Sequence, residues 1–217
     1  MITQELITKI AIILIPLIFA ITVHEVAHGW VASKFGDQTA KMLGRLTLNP
    51  VKHIDILGTI IVPIILLALG GFIFGWAKPV PISPRNFKNP RPMMAIVAVA
   101  GPVSNLIMAI LWAIVAKIGL MIQADNTHLA ALTAIGFAGI TINAFIGVLN
   151  LLPIPPLDGG RIVSNILPPK LAYYYDKLEP FGFYILIILI ITGILSHILL
   201  PITLTLIHSI AALFGIL

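Results

Sequence analysis

His24, Glu25 and His28 are the side chains whose types and spacing point most directly to chemistry in this sequence. Residues four positions apart lie on one face of a helix, one turn from each other, so both imidazoles can bind a single zinc ion. The carboxylate of Glu25 lies beside them and is suited to accept a proton from a metal-bound water. The spacing therefore indicates metal-assisted hydrolysis. A structural cluster that hydrogen-bonds neighbouring helices is the alternative.

A catalytic zinc ion usually has three protein ligands, and the absence of cysteine leaves His, Asp or Glu to supply the third. Asp158 is the best candidate, because the proline-rich bend before it and the glycine pair after it interrupt regular helix and let a carboxylate turn inward. A helix N-cap is the alternative role for Asp158. His53 is predicted to lie on the cytoplasmic side, where it could shuttle protons or gate the site, but we favour a structural role for it.

The elements that carry these residues belong to a membrane protein. Of the 217 residues, 59% are apolar and 10% are charged, whereas a soluble domain has about 45–50% apolar and about 25% charged residues. Several apolar runs approach the roughly 20 residues that cross a bilayer as helix, and the last one is shorter. The runs are residues 6–33, 54–76, 93–118, 129–152, 181–200 and 201–217. We predict one all-α, polytopic integral-membrane domain over residues 1–217, with about five to six membrane segments.

The basic residues predict the orientation of this domain. Lys and Arg cluster in the connections after the first, second and fourth runs, which the positive-inside rule assigns to the cytoplasm. The domain is then expected in the cell (inner) membrane, with its N-terminus on the outer side. The His-Glu-x-x-His cluster lies within the membrane, towards the cytoplasm. Because run 54–76 has basic connections at both ends, we predict that it is re-entrant and breaks near Pro63 or the Gly70-Gly71 pair. A plain spanning helix is the alternative.

Three motifs in sequence order resemble the site-2 protease family of intramembrane zinc metalloproteases, in its compact form without PDZ or CBS domains. They are His24-Glu25-Val-Ala-His28, Ala100-Gly101-Pro102-Val-Ser-Asn105, and Asn150 followed by Leu157-Asp158-Gly159. The resemblance covers most of the chain. It implies one zinc ion per chain, held by His24, His28 and Asp158, with Glu25 as the general base. The implied reaction is hydrolysis of peptide bonds within or near transmembrane segments of substrate proteins.

The resemblance also implies where a substrate is held. Asn150 is expected to hold the substrate backbone near the metal, and we include Asn105 among the substrate-binding residues. Residues 71–83 are similar to the family's short membrane-associated β element, whose edge would pair with an unwound substrate strand at Gly75 and Trp76. The alternative for this segment is a loop rich in turn residues. Substrate selection is expected to depend on the membrane domain or on a separate adaptor.

Other function classes fit the sequence less well. The net charge of +5 does not indicate nucleic-acid binding, because the basic residues lie at the ends of apolar runs and not among interleaved aromatic residues. The main rival is a non-proteolytic divalent-metal-binding membrane protein, such as a cation transporter. A transporter should carry internal repeats and polar residues along several helices, and the sequence shows neither. A membrane oxygenase of the desaturase kind needs several His clusters, and six histidines with one pair at ligand spacing are too few.

Overall fold

The computed structural model describes residues 4–62, 65, 76–123 and 130–216, and within these ranges the regular structure is helical and contains no β-strand. The α-helices are α1 Gln4–Lys34, α2 Thr39–Met42, α3 Pro90–Gln123, α4 Ala130–Asn150, α5 Asp158–Ile166, α6 Pro169–Asp176, α7 Gly182–Ile191 and α8 Ile194–Phe214. Shorter 3₁₀ turns cover Pro50–His53, Pro84–Asn86 and Glu179–Phe181, and a π-type turn covers Ile56–Ile61.

Four of the described helices are long and apolar enough to cross a membrane. Their candidate spans are Thr8–Lys34, Pro90–Ile122, Ala130–Asn150 and Ile194–Phe214. At about 1.5 Å per residue, 21 residues reach about 30 Å, the thickness of the hydrocarbon core. The protein is therefore a multi-pass integral membrane protein with an all-helical architecture in its described part. The total of five to six membrane segments stays a prediction.

The last two helices differ from the predicted apolar runs. We expected one membrane segment over residues 181–200 and a shorter run from Pro201, but α7 ends at Ile191 and α8 begins at Ile194. The helices are separated at Gly193, whose φ of +74° is a left-handed conformation that glycine adopts without strain. Pro201 lies inside α8 and does not end it, as is common for proline in membrane helices.

The connection between α1 and α3 begins and ends at the same end of the helix bundle. Ala32 near the end of α1 shares a buried cluster with Phe87 and with Val97 near the start of α3. A connection of this kind crosses the membrane an even number of times or not at all. Two predicted features lie outside the described residues: the breaks at Pro63 and Gly70-Gly71, and residues 71–75 of the β element. The rest of that element, residues 76–83, is extended and has no strand pairing in the described chain. Re-entry stays a prediction.

Small residues bring α3 and α4 close together. A Cβ added to Gly136 of α4 would lie 2.5 Å from the backbone nitrogen of Ala116, and one added to Gly139 would lie 2.2 Å from the ring of Trp112. Close backbone approach of this kind drives helix packing in membranes, where there is no hydrophobic force between helices. α8 packs on α4 through Val148, and the α3–α4 pair provides the framework against which α1 and α5 pack.

Candidate metal centre

His24, His28 and Asp158 converge on one point although they come from distant parts of the chain. The Nε2 atoms of His24 and His28 lie 3.1 and 3.2 Å from Oδ2 of Asp158 and 3.1 Å from each other. All three residues are buried, with exposures of 6%, 7% and 6%. The structure thus brings together the three side chains that the sequence singles out as metal ligands.

The other nitrogen of each imidazole is held by the protein. Nδ1 of His28 lies 2.7 Å from the carbonyl oxygen of Val97, and because a carbonyl only accepts, this nitrogen carries the proton of the neutral ring. Nδ1 of His24 lies 2.7 Å from Oδ1 of Asn105. The amide nitrogen of Asn105 donates to Ala20 and Asn143, which directs its oxygen towards His24. Both Nε2 atoms therefore present lone pairs to the centre of the site.

This arrangement fits a bound cation. Two nitrogen lone pairs and the carboxylate oxygen of Asp158 face one another, and no hydrogen-bond donor to that oxygen exists among the described residues. A buried acceptor without a donor is costly, and a metal ion removes the cost by accepting all three lone pairs. Two imidazoles and one carboxylate are a ligand set of catalytic zinc, which keeps a fourth position open for water or substrate.

Gly101 allows α3 to approach the imidazoles. A Cβ at this position would lie 2.5 Å from Cε1 of His24 and 2.5 Å from Nε2 of His28, closer than real contacts allow. Gly101 and Asn105 are four residues apart on α3, so one helix face both makes room for the rings and orients one of them. Sequence reasoning included Gly101 in a motif but missed this role; a glycine inside an apolar helical run was the available signal.

Asp158 is the first residue of α5, and Leu157 occupies the N-cap position. The carboxylate faces the two imidazoles, so the alternative role of Asp158 as a helix N-cap is not observed. Gly159 and Gly160 let the start of α5 pack on the preceding bend, because a Cβ on either would lie within 2.3 or 2.5 Å of its backbone. The proline-rich bend, which contains a cis peptide bond between Pro155 and Pro156, therefore aims the carboxylate.

Glu25 is half-buried beside this group. Its Oε2 atom accepts a hydrogen bond of 2.8 Å from the backbone N–H of Val80, which lies in the extended segment between the second run and α3. A charge-assisted hydrogen bond from the backbone fixes the orientation of a carboxylate. The residue predicted to act as base is thus held by a part of the chain to which the sequence analysis assigned a substrate role.

Comparisons with known proteins agree with this geometry. The sequence model of Peptidase family M50, the site-2 protease family, matches residues 12–122 and 115–193 of the chain. The chain belongs to Peptidase family M50. No solved structure matches the chain at a significant level.

The chain is similar to several proteins whose names describe them as zinc metalloproteases. The "Putative zinc metalloprotease YwhC" of Bacillus subtilis is 43% identical over 194 residues, covering 87% of this chain and 84% of the relative. Rip2 of Mycolicibacterium smegmatis, described in the same terms, is 32% identical over 83% of this chain and 66% of its own length. The "Zinc metalloprotease MJ0392" of Methanocaldococcus jannaschii is 25% identical over 86% of the chain, which spans 44% of that protein.

The residues predicted to bind substrate lie at different depths in this M50 chain. Asn150 ends α4, is half-buried, and donates to the carbonyl of Ile146. Asn105 is fully buried and its polar atoms contact protein groups behind the imidazoles. Trp76 is 38% exposed and its ring packs edge-on against Phe183, whereas Gly75 lies outside the described residues. The substrate role of each stays a prediction.

A cavity of about 620 Å³ is lined by neighbours of the site, although not by His24, Glu25, His28 or Asp158 themselves. One wall is the extended segment that carries Val80 and Pro81, and another is the first turn of α5 with Gly160 and Arg161. The cavity is therefore bordered by the segment that holds Glu25 and by the helix that begins with Asp158. His53, by contrast, is buried; its Nε2 atom lies 2.9 Å from the carbonyl oxygen of Thr47, whereas its Nδ1 atom has no partner among the described residues. The structural role favoured for it stays a prediction.

Proposed function

We propose that this chain is an intramembrane zinc metalloprotease that hydrolyses peptide bonds within or near transmembrane segments of membrane proteins. The observation that carries the proposal is the convergence of His24, His28 and Asp158 in the second half of a membrane-length helix, with both outer imidazole nitrogens held by the protein. Membership of Peptidase family M50 and the zinc metalloprotease names of its relatives support it.

One zinc ion per chain would be held by His24, His28 and Asp158. When bound, zinc supplies Lewis acidity towards the scissile carbonyl and makes a coordinated water more acidic. Glu25 then takes the proton of the attacking water at Oε1 or Oε2 and delivers it to the leaving amine nitrogen. Val97 and Asn105 keep the imidazoles in the tautomer that ligates a metal, since each accepts the Nδ1 proton.

The substrate would be a transmembrane polypeptide that unwinds before cleavage. A helix satisfies its own backbone hydrogen bonds, so its carbonyls reach the metal only after local unwinding. The proposed substrate contacts are Asn105, Asn150, Gly75 and Trp76, with a separate adaptor as a further source of selectivity. The cavity beside α5 is a further region that an extended segment would occupy. We expect no nucleic-acid partner.

The proposed enzyme is a single membrane domain over residues 1–217. Its location would be the cell (inner) membrane, with the N-terminus outside and the site towards the cytoplasm, as the distribution of Lys and Arg indicates. A membrane-embedded ionisable cluster is costly unless it faces water or its own members. The two imidazoles and the carboxylate contact one another, so the cluster faces its own members as this rule requires.

The decisive experiment is cleavage of a purified transmembrane substrate by the wild-type protein and by Glu25→Gln, with the metal content of both proteins measured by atomic emission. We expect the variant to keep its zinc and to lose activity by about 10²-fold or more, because it lacks only the base. Wild-type cleavage rates in the zinc-replete variant would refute the mechanism. Saturable ion flux in proteoliposomes, without cleavage by the wild-type protein, would favour the transporter.

A further inference from the structure

An extended segment, residues 78–83, runs past Glu25, and we call it the strap. At its first end, Nη2 of Arg45 donates to the carbonyl oxygens of Lys78 and Pro79 at 2.8 and 3.3 Å. The backbone N–H of Lys78 donates to the carbonyl of His53 at 2.9 Å. This end of the strap is therefore attached to the connection that follows α2.

Asp37 holds the other end of the strap. This residue lies just after α1 and is 1% exposed. Its Oδ2 atom accepts from the backbone N–H of Ser83 at 2.7 Å, whereas its Oδ1 atom accepts from Asn86 at 2.7 Å and from the backbone N–H and hydroxyl of Thr39. The two oxygens thus have different partners: one accepts from the strap, and the other accepts from Thr39 and from Asn86 in the 3₁₀ turn after the strap.

The middle of the strap faces Glu25. Pro79 and Pro81 have no N–H, so Val80 supplies the donor at this point of the strap, and it donates to Oε2 of Glu25. The Val80 side chain is buried against Gly29 of α1, where an added Cβ would lie 2.8 Å from Val80 Cγ1. The same segment lines the 620 Å³ cavity. The strap therefore contacts the base and also lines the space in which substrate would lie.

We propose that Asp37 and Arg45 are positioning residues for the hydrolysis: by attaching both ends of the strap, they hold the Val80 N–H on Glu25 and so fix the orientation of that carboxylate. The inference rests on the proposed function. An extended segment without a strand partner in the described chain loses its order readily, because fixing each residue costs about 1–2 kcal/mol of conformational entropy. The two attachments oppose that loss without touching substrate or metal.

The chain offers a matched pair of variants. Asp37→Asn keeps an oxygen for the donors that now bind Oδ1, and it turns an amide N–H₂ towards the Ser83 N–H, so it breaks the link to the strap. Thr39→Val removes one donor to Oδ1 and leaves the Ser83 link in place. Arg45→Met releases the strap from its other end and serves if Asp37→Asn does not fold.

The first measurement is amide hydrogen exchange of the peptide containing Val80 and Ser83, in nanodiscs. We expect exchange about 10-fold faster in Asp37→Asn and in Arg45→Met than in the wild-type protein, with Thr39→Val like wild type. The second is kcat and KM for a transmembrane substrate at equal zinc content. We expect kcat to fall about 10-fold or more and KM to change by a smaller factor, since the base is misaligned whereas only one wall of the cavity is loosened.

Unchanged exchange in both strap variants would overturn the proposed attachment. Fast exchange with an unchanged kcat would overturn the positioning role, because the strap would then be mobile without consequence for Glu25. If the wild-type protein cleaves no substrate, the proposed function fails, whereas the exchange data still decide whether Asp37 and Arg45 hold the strap. A fall in kcat accompanied by zinc loss would also count against positioning, since the defect would then lie in the metal site.

Discussion

Asn105 shows how much of the proposed zinc site depends on a residue that need not touch the metal. Its amide oxygen faces Nδ1 of His24, and its amide nitrogen is occupied by Ala20 and Asn143. Groups that fix the outer nitrogen of a ligating imidazole typically change metal affinity about 10–100-fold when removed. These hydrogen bonds indicate that Asn105 supports His24, whereas its predicted contact with substrate stays a prediction.

We predict that Asn105→Leu lowers zinc affinity about 10–100-fold, because His24 loses the acceptor that holds its Nδ1 proton. Competition with a chromogenic chelator measures this affinity. Asn150→Leu is the matched control, since Asn150 donates to the backbone of its own helix and contacts neither imidazole nitrogen through the hydrogen bonds described. Equal zinc affinity in Asn105→Leu and wild type would show that Asn105 does not orient the ligand.

Gly101 gives a second prediction at the scale of one residue. Gly101→Ala places a methyl group 2.5 Å from atoms of both imidazoles, so the rings must move and zinc content after purification should fall well below one ion per chain. Gly147→Ala is the control, because its added Cβ would lie 3.4 Å from Asn105, an ordinary contact. Full zinc loading of Gly101→Ala would mean that α3 can retreat from the site without cost.

The sequence predicts the ligand pair better than the groups that support it. His24 and His28 follow from helical periodicity alone, and Asp158 follows from a bend that interrupts helix. The support of His28 comes from the backbone carbonyl of Val97, and every residue has such a carbonyl. The packing of Gly101 on the imidazoles likewise depends on how two helices cross, which no local pattern specifies. Supporting contacts of this kind required the three-dimensional structure.

Helix boundaries near the C-terminus show the same limit at the scale of elements. The apolar runs correctly predicted α1, α3 and α4 to within a few residues. Near residue 193, however, one glycine interrupts an apolar stretch, and hydropathy is insensitive to a single turn residue. Pro201 was the more prominent break in sequence, but a membrane helix tolerates a proline where neighbouring groups satisfy the freed carbonyl. The turn therefore lies at Gly193, and α8 contains Pro201.

The turn between α1 and α2 depends on an ionised carboxylate. Burial alone would raise the pKa of Asp37, but hydrogen bonds from Thr39, Ser83 and Asn86 outweigh it and hold that pKa below its ordinary value of 3.8. A carboxyl with a lowered native pKa contributes stability above its unfolded pKa, and this contribution is lost as pH falls through the native pKa.

We therefore predict that the wild-type protein exceeds Asp37→Asn in melting temperature by a constant margin from about pH 8 to about pH 5, and that the margin shrinks below the ordinary pKa. Thermal unfolding followed by intrinsic fluorescence at each pH measures the difference, in which the other carboxyl groups cancel. Thr39→Val should keep the acid dependence, because it retains the carboxylate. A margin that disappears already near pH 7 would contradict a lowered pKa for Asp37.

At the scale of the whole molecule, a bound zinc ion would join the first helix to a bend far along the chain. His24 and His28 lie on α1, whereas Asp158 begins α5. An ion that binds only the folded arrangement stabilises it by an amount that grows with ligand concentration, about 4 kcal/mol at a thousand times the dissociation constant. Metal binding should therefore be visible in the stability of the entire membrane domain, independently of proteolysis.

We predict that adding zinc to chelator-stripped protein raises the melting temperature of the wild type by several degrees and that of Asp158→Asn far less, because a neutral amide is a poor zinc ligand. Glu25→Gln should respond like wild type, since Glu25 is assigned to the proton and not to the metal. Differential scanning fluorimetry in detergent measures all three. Only residues that bind the ion make the melting temperature depend on zinc concentration. An equal rise in melting temperature in Asp158→Asn would therefore remove Asp158 from the ligand set, and the loss of the rise in Glu25→Gln would make Glu25 a ligand.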